Sequence, residues 1–289
     1  MAEDETETGA RGRPEDRAAP GPGRGHPIGR MFLIGTIASV IGVVLVLLID
    51  WFPVGASAAA DDVDLLYDVT LIVAVPIFVL VMAVAIYSVV RFRARPGDTR
   101  DGAPIHGNAR LEVIWVAVPT LIVSVLAAYS WIVLDEIEAR EPDSLQVSVR
   151  AQQFAWAFQY PQAGGRPIES EELVVPEGRQ VNFSISAVDV IHSFWIPAFR
   201  IKQDAVPGIE TETRAVPIRA GRYDVVCTEL CGSGHSTMRQ NVRVLPPPEF
   251  DRWLAAQRGA AGASQGAAAR TEAGVPTGAR TALRVAAHR

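Results

Sequence analysis

Cysteine is scarce in this sequence of 289 residues, which contains two, Cys227 and Cys231. No C-x-x-C-H motif occurs, so the sequence has no attachment site for c-type haem. Large apolar side chains are nearly missing from residues 1–30 and again from residues 255–289, where Gly, Ala, Pro, Arg and Glu prevail. Such segments cannot bury enough apolar surface to offset the entropy of ordering, so both are predicted to be disordered tails.

Both cysteines lie in a turn-rich stretch that reads C-T-E-L-C-G-S-G-H-S-T-M. Thiolate and thioether are soft ligands and imidazole is borderline, so Cys227, Cys231, His235 and Met238 favour copper over magnesium or calcium. The close spacing allows one folded loop to direct all four side chains to one place.

A disulfide and a structural zinc site are the alternatives for this stretch. Met238 adds nothing to a zinc site, and a mononuclear blue-copper site leaves the second cysteine unexplained. Two thiolates can bridge two copper ions if a second histidine is supplied from elsewhere. The best candidate is His192, in the segment D-V-I-H-S-F-W-I-P.

The first apolar run covers residues 31–49, close to the ~20 residues that a membrane helix needs. Arg24 and Arg30 precede it and the small residues 56–59 follow it, which is typical of a signal peptide. A long apolar core, with Trp51 and Phe52 at the interface, favours a retained helix instead. Residues 31–52 are therefore predicted to be a transmembrane helix or a signal segment.

Two further apolar runs, residues 69–90 and 113–134, each contain a proline that membrane helices tolerate. They predict a transmembrane hairpin over residues 61–136. The connecting loop is basic and is expected on the cytoplasmic side; its arginines are Arg91, Arg93, Arg95, Arg100 and Arg110.

After Glu136 the sequence changes to short strand-like segments separated by Gly, Pro and polar turns. They predict a small antiparallel sandwich or barrel over residues 137–250. The strand candidates are residues 145–160, 173–175, 180–187, 211–218, 222–226 and 239–245.

The pattern C-x-E-x-C-x-x-x-H-x-x-M, preceded by D-V-x-H-S-F, resembles the dinuclear CuA site of cytochrome c oxidase subunit II. The resemblance covers roughly residues 61–246. It implies a membrane-anchored α+β protein, in which a transmembrane helical hairpin, with an N-terminal helix or signal segment, precedes an all-β cupredoxin-like Greek-key domain.

This resemblance also implies the metal ligands. Two cysteines would bridge two copper ions, two histidines would be terminal ligands, and one thioether and one backbone carbonyl would be weak ligands. The implied ligands are His192, Cys227, Glu229, Cys231, His235 and Met238. The side chain of Glu229 would face a magnesium or manganese ion at the boundary with subunit I.

The resemblance gives three further residues a role. Glu112 corresponds to a glutamate at the mouth of the proton path into subunit I, although a carboxylate at a helix N-terminus is also favoured by the helix dipole. Phe154 stands where many family members have the tryptophan through which cytochrome c delivers electrons, and Trp156 follows it. Core packing is the alternative for Trp156.

The implied function is that of the electron-entry subunit of a haem-copper oxidase, an oxidoreductase and translocase. It would take electrons from cytochrome c or a similar donor and pass them to haem in subunit I, where oxygen is reduced and protons are translocated. Expected partners are subunits I and III and membrane lipid, without nucleic acid. The expected location is the plasma membrane, with several spans and the copper domain outside.

Other classes remain for comparison. A quinol oxidase subunit shares the fold but lacks the copper ligands, and nitrous oxide reductase usually lacks the membrane hairpin. A membrane-anchored copper-delivery protein outside a terminal oxidase would need neither Glu112 nor the basic loop.

Overall fold

The computed structural model describes residues 27–93, 96–97, 106–162 and 166–259. The two predicted tails lie outside these residues, except where helices extend into them. The first helix begins at Ile28, and a short helix occupies residues 247–259. Arg95 and Arg100 of the basic loop also lie outside the described residues.

Three long helices open the described chain: α1 (Ile28–Leu47), α2 (Ala60–Phe92) and α3 (Ala109–Glu138). All three are long and apolar enough to cross a membrane, as the apolar runs predict. At about 1.5 Å per residue, α2 spans roughly 50 Å, well beyond a hydrocarbon core of about 30 Å. Its first turns contact the β domain through Asp64.

The helices belong to two compact units. The first unit contains α1 up to Leu45 and α2 from Val73 onward. Within it, Gly42 allows a close approach of the two helices, because a Cβ at this position would lie 2.8 Å from Val75 Cγ1. The second unit contains the start of α2, α3 and the β domain.

The described β domain consists of ten strands in two five-stranded sheets. One sheet has the order β3-β2-β1-β5-β8 and the other has the order β4-β10-β9-β6-β7. The strands are β1 (Leu145–Gln152), β2 (Ala155–Tyr160), β3 (Ile168–Ser170), β4 (Leu173–Pro176), β5 (Val181–Ala187), β6 (His192–Ile196), β7 (Ile201–Ala205), β8 (Thr211–Ala215), β9 (Gly221–Cys227) and β10 (Arg239–Leu245).

The core of the domain is built from alternating strand residues that are fully buried, among them Phe158, Phe183 and Phe194. The rings of Phe183 and Phe194 lie 5.5 Å apart. Helix α4, residues 247–259, covers one edge of this core: Phe250 is buried, and the Trp253 ring lies 5.1 Å from that of Tyr160.

The predicted two-layer β architecture is confirmed, but its sheets are mixed instead of purely antiparallel, because β1 pairs with β5 and β4 pairs with β10 in parallel. Three strands are additional. Residues 145–160, one strand-like stretch by alternation, divide into β1 and β2 around Gln153 and Phe154. Strands β3, β6 and β7 lie in segments that the pattern did not identify. Buried positions predominate in β6, so the alternation that marks a half-exposed strand is lacking.

The sheet topology places the metal-ligand candidates together. Strand β6 pairs with β9, with Phe194 opposite Cys227, and β9 pairs with β10. The start of β6 and the loop from β9 to β10 therefore meet at one end of the second sheet. His192 opens β6, Cys227 closes β9, and Met238 immediately precedes β10.

Candidate metal centre

The two thiols form the middle of a buried cluster. Cys227 Sγ and Cys231 Sγ lie 3.9 Å apart, and both cysteines are free. This distance is far from the ~2.05 Å of a sulfur–sulfur bond, so the disulfide alternative does not describe the structure. The side chains of Cys227, Cys231 and His192 bring their donor atoms within 4.8 Å of one another.

Each thiol has an imidazole nitrogen beside it. Cys227 Sγ lies 3.9 Å from His192 Nδ1, and Cys231 Sγ lies 3.8 Å from His235 Nδ1. His192 comes from β6, whereas His235 begins the 3-10 turn His235–Thr237 in the loop. His192 is fully buried and His235 is half-buried.

Two weaker donors complete the cluster. Met238 is buried, with its Sδ 4.0 Å from Cys231 Sγ. The backbone oxygen of Glu229 lies 3.4 Å from Cys227 Sγ, while the residue itself is exposed. Sulfur and imidazole donors of this kind suit copper, and the buried thioether has no role in a four-ligand zinc site. The donor set therefore fits copper.

Burial affects the thiol chemistry as well. It raises the pKa of the Cys231 thiol, and the neighbouring Cys227 raises it further. Without a metal the Cys231 thiol is protonated at neutral pH. A metal ion that binds the thiolate form must therefore displace this proton.

Asp189 holds the imidazole of His192 from the side opposite the thiols. Its Oδ1 lies 3.0 Å from His192 Nε2, and its Oδ2 accepts a hydrogen bond of 2.7 Å from the Gln153 backbone N–H. The contact with His192 and the N–H bonds of Gln153 and Val190 lower the pKa of Asp189 to about 2. The carboxylate thus stays ionised at neutral pH and favours the tautomer with hydrogen on Nε2.

The turn between β1 and β2 lies against the segment from Cys227 to Met238, the cysteine loop. Phe154 is 37% exposed, and its ring rests on the backbone of Gly232 and Gly234. Trp156, two residues on, is buried, with its ring centroid 6.2 Å from that of His192 and 5.4 Å from that of Phe194. Phe154 is therefore at the surface over the cluster, whereas Trp156 packs in the core beneath it.

Glu112 lies in the first turn of α3, away from this cluster. Its Oε1 accepts a hydrogen bond of 3.2 Å from the Asn108 backbone N–H. Asn108 is the N-cap, and its Oδ1 accepts from the backbone N–H groups of Arg110 and Leu111. Glu112 thus takes part in capping, as the helix-terminus alternative predicts, and it shares a shallow groove on α3 with Thr120 and Ser124.

The sequence interpretation did not identify two contacts at this site. No sequence pattern indicates the contacts of Gln153, and the resemblance assigns no contact between Asp189 and His192. The D-x-x-H spacing could have indicated the second, because a carboxylate beside a metal-binding histidine is a common arrangement.

Comparison with known proteins identifies relatives of both parts of the chain. Residues 162–245 match the family model of the cytochrome c oxidase subunit II periplasmic domain. Residues 45–133 match the model of the cytochrome c oxidase subunit II transmembrane domain. The two matches cover α2, most of α3 and strands β3 to β10.

Individual relatives agree with these matches. Cytochrome c oxidase subunit 2 of Synechocystis sp. is 34% identical over 274 residues, covering 76% of this chain and 82% of the relative. The protein of the same name from Thermostichus vulcanus is 34% identical, and the match covers 73% of this chain and 82% of that relative. The crystal structure of the periplasmic domain of subunit II of cytochrome oxidase of Bradyrhizobium japonicum is 29% identical, with a TM-score of 0.39, and covers 41% of this chain and 96% of its own.

Proposed function

The chain belongs to the cytochrome c oxidase subunit II family, a component of haem-copper oxidases, and we propose that it is the electron-entry subunit of such an oxidase. It takes electrons one at a time from cytochrome c or a similar donor at a dinuclear copper centre. The electrons pass to haem in subunit I, where oxygen is reduced to water and protons are translocated.

The arrangement of donors around the two thiols is the observation that carries this proposal. Cys227 and Cys231 have two imidazole nitrogens, a thioether and a backbone carbonyl beside them, all within 4.0 Å of one sulfur or the other. A single metal ion does not need six donors of this kind. Two copper ions bridged by both thiolates would share one unpaired electron and so accept and release electrons singly.

Two of these donors lie on the paired strands β6 and β9, and the others lie in the loop that follows β9. His192 and Cys227 lie on paired strands, and the Cys227 N–H donates to the Met238 carbonyl oxygen over 3.2 Å. A scaffold of hydrogen-bonded strands keeps the donor atoms in place when the charge of the site changes. Electron transfer then requires little movement of the ligands.

Glu229 has a second role in the proposal. Its carbonyl oxygen points toward Cys227, whereas its carboxylate belongs to an exposed residue of the loop. A carboxylate oxygen suits magnesium or manganese. We assign it to such an ion at the boundary with subunit I, which would supply the remaining ligands.

The distribution of charge supports the orientation of the chain. Basic residues lie where α2 ends and α3 begins, at Arg91, Arg93 and Arg110, while acidic residues such as Asp61 and Glu136 lie at the opposite helix ends. Basic loops stay on the cytoplasmic side. The metal centre is therefore on the outer side of the plasma membrane, and the helices face subunits I and III and lipid.

Electron entry and proton entry occur at different ends of the molecule in this proposal. Phe154 covers the cysteine loop at the surface and contacts the electron donor, with Trp156 behind it against His192. Glu112, at the cytoplasmic end of α3, admits protons to the path in subunit I. Its hydrogen bond to Asn108 fixes the position of the carboxylate.

Metal analysis combined with electron paramagnetic resonance tests the copper centre. The full chain, produced without partner subunits, is loaded with copper in detergent. We expect two coppers per chain and a multiline hyperfine pattern from one shared electron, both absent from Cys231→Ser. One copper with a four-line signal, or zinc alone, would refute the dinuclear assignment.

Co-purification distinguishes an oxidase subunit from a copper-delivery protein. Affinity purification of the chain from its native membrane is expected to recover a haem-containing subunit. A copper-loaded chain that carries no haem protein would favour the delivery function.

A further inference from the structure

The turn between β1 and β2 contacts both segments that carry the proposed ligands. The backbone N–H of Gln153 donates to Asp189 Oδ2 over 2.7 Å, and Asp189 in turn contacts His192. The side-chain Nε2 of Gln153 donates to the Cys231 carbonyl oxygen over 2.6 Å. Through these contacts, Gln153 connects the His192 segment with the cysteine loop, although Cys231 is 78 positions away in sequence.

The loop is shaped to receive this turn. A Cβ at Gly232 would come within 2.9 Å of Gln153 Nε2, and a Cβ at Gly234 would come within 2.5 Å of the Phe154 ring. Gly232 also has a φ of 136°, which other residues rarely adopt. The two glycines between Cys231 and His235 therefore leave the space that Gln153 and Phe154 occupy.

The segment that Gln153 holds is largely exposed. Gly232 and Ser233 are exposed, and Leu230 is 78% exposed. Cys231 itself is buried, so its carbonyl oxygen is the point at which the outer turn can fix the position of the thiol.

We propose that Gln153 is a positioning residue for the metal centre. Its side-chain amide holds the Cys231 carbonyl, while its backbone holds Asp189, so that Cys231 and His192 keep a fixed separation. The inference rests on the proposed copper centre. It assigns to Gln153 the retention of copper and the geometry of the site, without any direct contact with the metal.

Two substitutions isolate the side-chain contact. Gln153→Met keeps the length of the side chain and the backbone N–H but removes the donor. Gln153→Glu removes the donor and directs a negative charge at the carbonyl oxygen. Gln152→Met is the matched control, since Gln152 is an exposed residue of β1 one position earlier.

The measurement is the rate at which a copper chelator removes metal from the loaded full chain, with the hyperfine pattern recorded beside it. A net hydrogen bond corresponds to an increase of about three- to tenfold in copper loss for Gln153→Met. Gln153→Glu is expected to lose copper faster still. Both variants should show a changed hyperfine pattern, and their metal-free forms should remain folded.

The outcomes separate this inference from the proposed function. If Gln153→Met retains copper as well as wild type and Gln152→Met, with the same spectrum, the inference is overturned and the copper centre stands. A wild-type chain that binds no copper pair overturns both. Faster loss and an altered spectrum in the Gln153 variants, but not in Gln152→Met, support the inference.

Discussion

His192 is held by Asp189 through a contact of 3.0 Å between Nε2 and Oδ1, and its other ring nitrogen faces Cys227 Sγ at 3.9 Å. The ionised carboxylate favours the tautomer with hydrogen on Nε2, in which the lone pair of Nδ1 is free for a metal ion. Asp189 therefore orients His192, although 30% of its own side chain remains exposed.

Asp189→Ala is expected to weaken copper binding while leaving the ligand residues in the chain. The loss of a carboxylate that orients a metal-binding histidine typically costs about 10- to 100-fold in affinity. Competition with a chelator measures this change. The control is Asp204→Ala, because Asp204 accepts from Ser193 Oγ instead of from a ligand. Equal losses in the two variants would contradict the orienting role.

Phe154→Leu is expected to slow oxidation of the electron donor without changing copper content. The substitution keeps an apolar side chain but removes the flat ring that covers Gly232 and Gly234. Loss of an aromatic contact at the centre of an interface costs more than about 1 kcal/mol, or at least roughly fivefold in kcat/KM. Steady-state oxidation of cytochrome c by the assembled oxidase measures it.

The control for Phe154 is Ile218→Ala. Ile218 is also apolar and is 48% exposed. It lies just before the first residue of β9, whereas Cys227 is the last residue of that strand. A Phe154→Leu oxidase with wild-type kinetics toward every donor would show that electrons enter elsewhere.

The cysteine loop was predictable because its chemistry is local. Cys227, Cys231, His235 and Met238 lie within one loop, so their spacing alone brings four donor side chains together. His192 lies in a different segment from the cysteines. The motif around it indicates that it belongs to the same site. The membrane helices were predictable for a similar reason, since length and apolar character are read directly from each run.

Contacts between distant segments were not predictable in this way. Nothing in the residues around Gln153 indicates a hydrogen bond to Cys231. The hairpin that Gln153 and Phe154 form also lacks the Asn-Gly or Asp-Gly signal of a two-residue turn. The alternation of apolar and polar residues over 145–160 therefore predicts one continuous strand, whereas the structure has a break between β1 and β2.

Arg200 joins the β domain to the start of α2, and its removal is expected to destabilise this junction. Its side chain is 4% exposed, lies 2.7 Å from Asp64 and stacks 4.7 Å above the Phe52 ring. It also donates to the carbonyl oxygens of Pro53 and Pro197. Arg200→Ala leaves these acceptors unpaired, at a cost of about 2 kcal/mol once the partial exposure of Asp64 is considered.

Thermal unfolding of the full chain in detergent measures this cost. A loss of about 2 kcal/mol corresponds to a decrease of roughly 4–8 °C in the unfolding midpoint. Arg219→Ala, at an exposed arginine of the same domain, should leave the midpoint unchanged. A midpoint for Arg200→Ala that equals this control would show that the junction is held by other contacts.

The mature protein is expected to retain the peptide bonds of the small-residue stretch, residues 56–59. Ala56 and Ser57 are buried, and the Ala56 N–H donates to the Ala198 carbonyl oxygen over 2.7 Å. Ser57 Oγ donates to the Phe199 carbonyl oxygen over 2.8 Å. Cleavage here would place a charged amino group in the domain interior, which is costly.

Intact mass and N-terminal peptide mapping of the chain from its native membrane test this expectation. We expect one continuous chain through residues 31–59, with α1 retained as a membrane helix. A mature N-terminus between residues 57 and 60 would contradict it and would identify residues 31–52 as a signal segment.

Substitution can separate the two roles considered for Glu112, helix capping and proton entry. Glu112→Gln keeps an oxygen that accepts the Asn108 N–H, whereas Glu112→Ala loses it. If Glu112 admits protons, both variants slow oxidase turnover by about 10- to 100-fold. The larger of these factors is the smallest rate effect that a positioned proton-transfer group typically contributes. Copper content should not change, and Glu136→Gln, at the other end of α3, should turn over normally. Normal turnover of Glu112→Gln with impaired Glu112→Ala would leave Glu112 as a helix cap alone.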